Sequence, residues 1–383
     1  MMTGKRDMEI RYRSGATRPS LSAISSGERG DSSLQPSAIH YSLFAIHCSL
    51  FAVLCFLFAS CIREDDYDNS PRGNFEALWT IIDEHYCYLD YKGIDWDSIY
   101  SVYSPLISDD MTSTALFEVL GNMLCELKDG HVNLSSSQNV ARYWDWYLDY
   151  PDNFDLDLVE DYYLGRDYRI AGGIKYTILE DNVGYALYES FSDGIGNGNI
   201  DYVLSYFALC NGMIFDVRDN SGGYLTYADL LAARFTNEKT LIGYIQYKTG
   251  TGHSDFSDPE ALYIEPSTSI RWQKPVIVLT NRQAYSATNY FVNAMTVMPQ
   301  ATIVGDRTGG GGGLPFTSEL PNGWSVRFSA SPLLNVNLEH TEDGIEPDYY
   351  VDMDEDDEDN GIDTIIEFAR ALIDGSDTDG DEE

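Results

Sequence analysis

One stretch constrains the fold more than any other: Lys274-Pro-Val-Ile-Val-Leu-Thr-Asn-Arg-Gln-Ala-Tyr-Ser-Ala-Thr-Asn-Tyr-Phe291. Its first part, Pro275 to Thr280, is a short apolar, Val/Ile-rich run of the kind that forms a buried strand. From Ala287 the apolar residues fall at Ala287, Tyr290, Phe291, Ala294, Met295 and Met298, the stripe of an amphipathic helix. A strand, a polar turn and a helix in that order put Ser286 at the start of the helix. The first backbone N–H groups there lack intrahelical partners and carry partial positive charge. Two readings of Ser286 follow. It is an ordinary N-cap, or its hydroxyl attacks a carbonyl while the free N–H groups hold the resulting oxyanion.

The chain has 383 residues, 43% of them hydrophobic and 13% aromatic. That suffices for one large domain with an appendage or two modest ones. A formal charge of −38 argues against nucleic acid as a partner, since a polyanion would be repelled. Cys87, Cys125 and Cys210 are scattered without metal-ligand spacing, and their odd number argues against a disulfide framework.

Residues 1–40 are polar and rich in Ser, Arg and Gly, and from Tyr41 to Ser60 the chain turns apolar. The run ends in Phe58-Ala-Ser-Cys61 and is followed by Arg63-Glu-Asp-Asp. Basic, apolar and small-residue zones in that order make a secretory signal. The terminal cysteine resembles a bacterial lipobox, with cleavage before Cys61 and lipidation on it. The rival reading is an uncut anchor, because about 20 apolar residues can span a bilayer. The expected location is the bacterial cell envelope, lipid-anchored, with residues 62–73 as a linker.

Further along, Phe75, Leu78, Trp79, Ile82 and Tyr86 share a helical face. Further helices are expected over 97–107 and from near Asp110 through Leu124. Residues 74–135 therefore read as a small helical N-terminal domain. It ends in Leu127-Lys-Asp-Gly-His131-Val-Asn-Leu, where Asp129-Gly130 is turn chemistry and His131 opens a strand. Residues 136–173 read as an irregular aromatic and acidic insertion containing Trp144, Trp146, Tyr147 and Tyr150, either a lid or a structural excursion. From residue 174 the pattern is α/β. Strands are expected over 174–179, 183–189 and 212–217, with a helix over 200–209. The last of those strands leads into Arg218-Asp-Asn-Ser-Gly222-Gly223, where paired glycines let backbone N–H groups approach a ligand. A helix through Leu230 and Phe235 follows.

After Ser286 come a strand over 301–305, the run Gly309–Gly313, a strand over 324–329 and Gly344-Ile-Glu346-Pro-Asp348. The glycine run is not a phosphate loop, because Leu314-Pro315 stands where Lys-Ser/Thr and a helix belong. The wall of a cleft fits it better. Asp356, Glu358, Asn360, Gly361 and Glu367 imitate an EF-hand loop, but Glu358 and Asp363 depart from it. Asp363 reads as the cap of a last helix with Ile366, Ala369 and Leu372 on its core face. No metal or other cofactor is expected, and the acidic tail 374–383 reads as disordered.

In order, Asp129-Gly130-His131, Asp216 to Gly223, Lys274 to Ala287, Gly305-Asp-Arg-Thr308 and Gly344 to Asp348 resemble the S41 peptidase family, which includes the C-terminal processing proteases and the tricorn core protease. The resemblance implies a ClpP/crotonase-like α/β core over 174–373, with Ser286 as nucleophile. It also implies an oxyanion site made by Gly222, Gly223 and Ala287. The processing proteases activate serine with a lysine, and here that position is Gly311. The tricorn-like pattern implies His131 as base and Glu346 as its orienter, a relay in the general sense of Ser-His-acid. His253 is the substitute base. The separation of His131 from the strand near Val183 is short for an inserted PDZ domain. The expected function is a lipid-anchored serine endopeptidase acting on extracytoplasmic polypeptides. The alternative is an inactive peptide-binding lipoprotein that kept the cleft.

Overall fold

The computed structural model describes residues 67–375; the signal-like segment with Cys61, and the tail beyond 375, lie outside the described residues. Strand β6 (Met213–Asp216) and strand β9 (Val276–Thr280) are buried along their whole length, and apolar up to the Asp216 and Thr280 that end them, because both of their faces are covered. Met213, Phe215, Val276 and Val278 enter one core, and Ile214, Ile277 and Leu279 enter another. A residue alternation of two, buried on both sides, is what a parallel sheet between helices requires.

Those strands are the centre of a seven-stranded sheet in the order β13-β10-β9-β6-β5-β4-β3. The other members are β3 (Arg169–Ala171), β4 (Ile174–Ile178), β5 (Gly184–Tyr188), β10 (Ala301–Gly305) and β13 (Tyr349–Tyr350). From β5 through β13 the pairing is parallel, while β4 and β3 are antiparallel additions. One face is covered by helices Asn197–Tyr206, Leu225–Ala232 and Ala287–Met295, and the other by Thr364–Asp374. Asp363 caps the last of these, its Oδ1 accepting the Ile366 N–H at 2.9 Å. The same carboxylate is buried against Arg218, which also pairs with Asp216 at 2.6 Å, so a buried ion network ties this helix to β6.

A second, antiparallel sheet runs β2-β1-β12-β7-β8, with β11 on the long strand β12. It uses β1 (Asn133–Ser135), β2 (Val140–Arg142), β7 (Thr240–Ile245), β8 (Glu260–Ile264), β11 (Gly313–Glu319) and β12 (Ser325–Leu334). The expected N-terminal helices are present as Pro71–His85, Trp96–Tyr103 and Ser113–Cys125. They do not fold apart from the sheet. Phe75, Leu78, Ile82, Leu120 and Leu124 share one core with Leu320, Val326 and Phe328. Segment 136–173 is more regular than its composition suggests: it contributes β2, a 3-10 turn at Asp145–Asp149, a π-helical turn at Val159–Leu164, and β3. The seven-stranded sheet thus begins before residue 174. Among the described residues no helix is long and apolar enough to cross a membrane.

Candidate active site

The parallel strands β6 and β9 are neighbours, and the chain leaves the carboxyl ends of both into loops that face one another. In open α/β sheets this is where ligands bind. Asn281 to Tyr285 makes the turn after β9, and Ser286 precedes the helix Ala287–Met295 with φ 60° and ψ −115°. A non-glycine residue in that region is strained and has to be held by its surroundings. Its own N–H donates to the Gly310 carbonyl at 2.8 Å, and the N–H of Tyr285 donates to the Asn220 carbonyl at 3.1 Å. Ser286 stands at the N-cap position, yet its hydroxyl makes no capping bond. That hydroxyl lies 2.8 Å from Nε2 of His131 instead.

His131 comes from the other sheet. The turn Asp129-Gly130 carries the chain into β1, and the Asp129 carboxylate accepts the backbone N–H of His131 at 2.7 Å. The other oxygen of Asp129 accepts the hydroxyls of Ser329 at 2.8 Å and Tyr86 at 3.1 Å. Burial would raise the Asp129 carboxyl, but Lys92, His131 and these hydrogen bonds outweigh it and hold the group below its ordinary value. Burial lowers the His131 imidazole to about 4, with Asp129 pulling it up and Arg327 and Lys92 pushing it down. The ring is therefore neutral at physiological pH and able to accept a proton. Its Nδ1 is buried and, among the described residues, has no hydrogen-bond partner.

On the β6 side, Gly222 has φ 98°, and a Cβ there would sit 2.7 Å from the Tyr285 carbonyl and 2.9 Å from the Ser286 Cβ. Only glycine lets this loop pass so close to the serine. The N–H of Gly222 is engaged by the Asn220 side chain at 3.0 Å, which corrects the expectation that it faces a substrate. Asn220 also accepts from Thr288 at 2.7 Å and donates to the Tyr188 carbonyl at 2.7 Å, wiring this loop to the helix that follows Ser286. The N–H groups of Gly223 and Ala287 are free of acceptors among the described residues.

Two expected residues are elsewhere. Glu346 is exposed, paired with Arg307 at 3.3 Å and hydrogen-bonded by the Tyr350 hydroxyl, and it makes no hydrogen bond to His131. The turn Gly344–Asp348 leads into β13 and carries its side chain out to solvent. His253 donates its chemistry to another region, with Nε2 2.8 Å from Asp83 on the first helix. The buried acid of that stretch is Glu342, 5% exposed and paired with Lys92 at 2.8 Å. Burial and the charge of Asp129 push its carboxyl up to about 8 against the pull of Lys92. Asp129, Glu342, Lys92, Trp146 and Tyr285 line a cavity of about 350 Å³, which borders the residues next in sequence to the Ser–His pair but is lined by neither Ser286 nor His131. Of these, Glu342 and Tyr285 carry no signal in the sequence beyond lying beside or within the motifs, and Lys92 carries none at all.

A neutral buried imidazole in contact with a strained serine, beside free N–H groups at a helix start, defines a site of the acyl-transfer class. Comparison with known proteins agrees with this. The Peptidase family S41 model matches residues 182–351, and that of the Tricorn protease C1 domain matches 67–125. The crystal structure of a candidate peptidase from Parabacteroides merdae ATCC 43184 is 56% identical, with a TM-score of 0.77, over 80% of this chain and 97% of that one. The chain belongs to peptidase family S41. Mature CPAF, at 13% identity and a TM-score of 0.61 over 81% of this chain and 98% of that one, shares the fold. The carboxy-terminal processing protease CtpA of Bacillus subtilis (strain 168) is 24% identical over 58% of this chain. The chain spans less than half the length of the curated relatives it matches, 47% for this one.

Proposed function

We propose that the chain is a serine endopeptidase that hydrolyses polypeptides with a histidine base rather than a Ser–Lys dyad. The observation that carries this reading is the 2.8 Å contact between His131 Nε2 and the Ser286 hydroxyl. Ser286 Oγ attacks the scissile carbonyl carbon while Nε2 takes its proton, and the carbonyl electrons move onto oxygen. The free N–H groups of Gly223 and Ala287 receive that oxyanion, an arrangement commonly worth a few kcal/mol per donor. Collapse expels the amine, which takes the proton back from His131, and water then releases the acyl group by the reverse sequence. Asp129 supports the transient imidazolium electrostatically and fixes the His131 backbone. Glu346 has no part in the relay.

The substrates on this reading are extracytoplasmic polypeptides, and the enzyme is held at the cell envelope by a lipid on Cys61. The lipobox-like pattern Phe58-Ala-Ser-Cys61 supports that location. The test is hydrolysis of an unfolded polypeptide such as β-casein by native protein and by Ser286→Ala. Cleavage by the native chain that disappears in the variant is expected. Absence of cleavage by well-folded native protein favours a peptide-binding protein with a protease-like cleft.

A further inference from the structure

The base in this site is held in an unusual way. In a Ser-His-acid relay the second imidazole nitrogen donates to a carboxylate, which sets the ring's tautomer and orientation. Here Nδ1 of His131 has no partner among the described residues, and Glu346 is on the surface. What packs against the imidazole is the ring of Tyr285, the residue before the nucleophile, with centroids 5.0 Å apart and the planes inclined by 56°.

Tyr285 is itself held on several sides. The indole of Trp146 lies against its other neighbourhood at 5.2 Å with the rings inclined by 35°. Its hydroxyl points to Asp129 at 3.4 Å, the same carboxylate that anchors the His131 backbone. A Cβ at Gly311 would lie 2.4 Å from the Tyr285 ring, and one at Gly309 would lie 2.0 Å from the Trp146 ring. Part of the glycine run is thereby explained: it is bare so that two aromatic rings can lie against it. Gly311 is also the position where the processing proteases' lysine stands in the sequence resemblance. The phenol ring fills the space that a side chain at 311 would need.

We propose that Tyr285 is the positioning residue of the base. Its ring, packed against Trp146 and the Gly311 backbone, fixes the His131 imidazole toward Ser286 by packing, where other relays use a hydrogen bond at Nδ1. This rests on the assignment of Ser286 and His131 as nucleophile and base. The charges that act on the imidazole are those of Asp129, Arg327 and Lys92, and the Tyr285 ring packs beside it, so removing the ring also opens the imidazole to water.

The experiment measures the second-order rate of labelling by a small fluorophosphonate, and kcat and KM on a peptide, for Tyr285→Phe, Tyr285→Leu and Trp146→Leu. Circular dichroism and Tm establish that each variant is folded. Because a small misplacement of a catalytic group can cost about a hundredfold, Tyr285→Leu is expected to lose at least about tenfold in labelling and kcat with KM little changed. Its acid limb is expected to move up from about 4 toward the ordinary histidine value as the ring's shielding is lost. Tyr285→Phe keeps the ring and is expected to stay within about threefold of native, and Trp146→Leu to fall between the two. A merely structural tyrosine would lower Tm without moving the acid limb. Labelling of folded Tyr285→Leu at the native rate, or a loss in Tyr285→Phe as large as in Tyr285→Leu, overturns the proposal. If Tyr285→Leu does not fold, Trp146→Leu decides: slower labelling at native Tm supports the proposal, and a native rate overturns it. Ser286→Ala and His131→Ala serve as controls. If either labels at the native rate, the underlying catalytic reading fails, whereas their loss beside an unaffected Tyr285→Leu removes only the role of Tyr285.

Discussion

A buried neutral base makes a specific demand on the pH dependence of the reaction. Burial lowers the His131 imidazole from 6.5 to about 4. Protonating it in the folded protein is then harder than in water by about 3 kcal/mol. The base works only when neutral, so activity is retained well below neutrality and lost as pH falls through about 4. At pH about 5.5 an imidazole titrating at 6.5 would be about 9% neutral, whereas one titrating near 4 is about 97% neutral. The rate of fluorophosphonate labelling at pH about 5.5 should therefore match that at about 7.5, with circular dichroism confirming the fold at both. The same shift has a consequence for stability, with its own sign. Between 6.5 and about 4 the unfolded chain binds a proton that the folded chain does not, so stability falls as pH drops through that window, by up to about 3 kcal/mol at its lower end. A tenfold loss of labelling at pH about 5.5 in protein that remains folded would refute the burial argument.

Four substitutions probe other parts of the structure. Gly222→Ala forces a Cβ to within 2.9 Å of the Ser286 Cβ at a φ of 98°; displacing the serine should slow labelling by about a hundredfold or more. Arg218→Ala leaves Asp216 and Asp363 buried without their cation, and the expected loss of about 3–5 kcal/mol should appear as a lowered midpoint in urea denaturation. Glu346→Gln and His253→Gln alter groups with no hydrogen bond to the catalytic pair. Each should hydrolyse peptide within about twofold of native, as exposed substitutions away from a site usually do.

The central strands were legible because a strand covered on both faces is a near-continuous apolar run, and Val276 to Leu279 and Met213 to Phe215 are such runs. The place of Ser286 was legible for a related reason: a strand, a turn and an amphipathic helix put it at the helix start, while its reading as nucleophile rather than cap came from the family motifs. Strand β8 was missed, since four of its five residues are at least partly exposed and its alternation is weak. The N-terminal helices were read individually, but their periodicity does not say that their partner face is β12. His131 lies 155 residues before Ser286 and reaches it from a different sheet, a meeting that local pattern cannot reveal and only the family motif suggested. In the stretch Thr341 to Asp348 two glutamates stand four residues apart. The family pattern pointed to Glu346, and only burial separates Glu342 inside from Glu346 outside. Nothing in the sequence assigns Tyr285 a role, because its contacts, His131, Trp146 and Gly311, come from three separate segments.

The account's central claim is that one hydroxyl is made nucleophilic by one imidazole. Mass-spectrometric mapping of the fluorophosphonate adduct on native protein and on folded His131→Ala tests it most directly. The prediction is a single adduct on the peptide containing Ser286 in the native chain, with its formation slowed by about a hundredfold or more in the variant. An adduct at another residue, or an undiminished rate without His131, would contradict it.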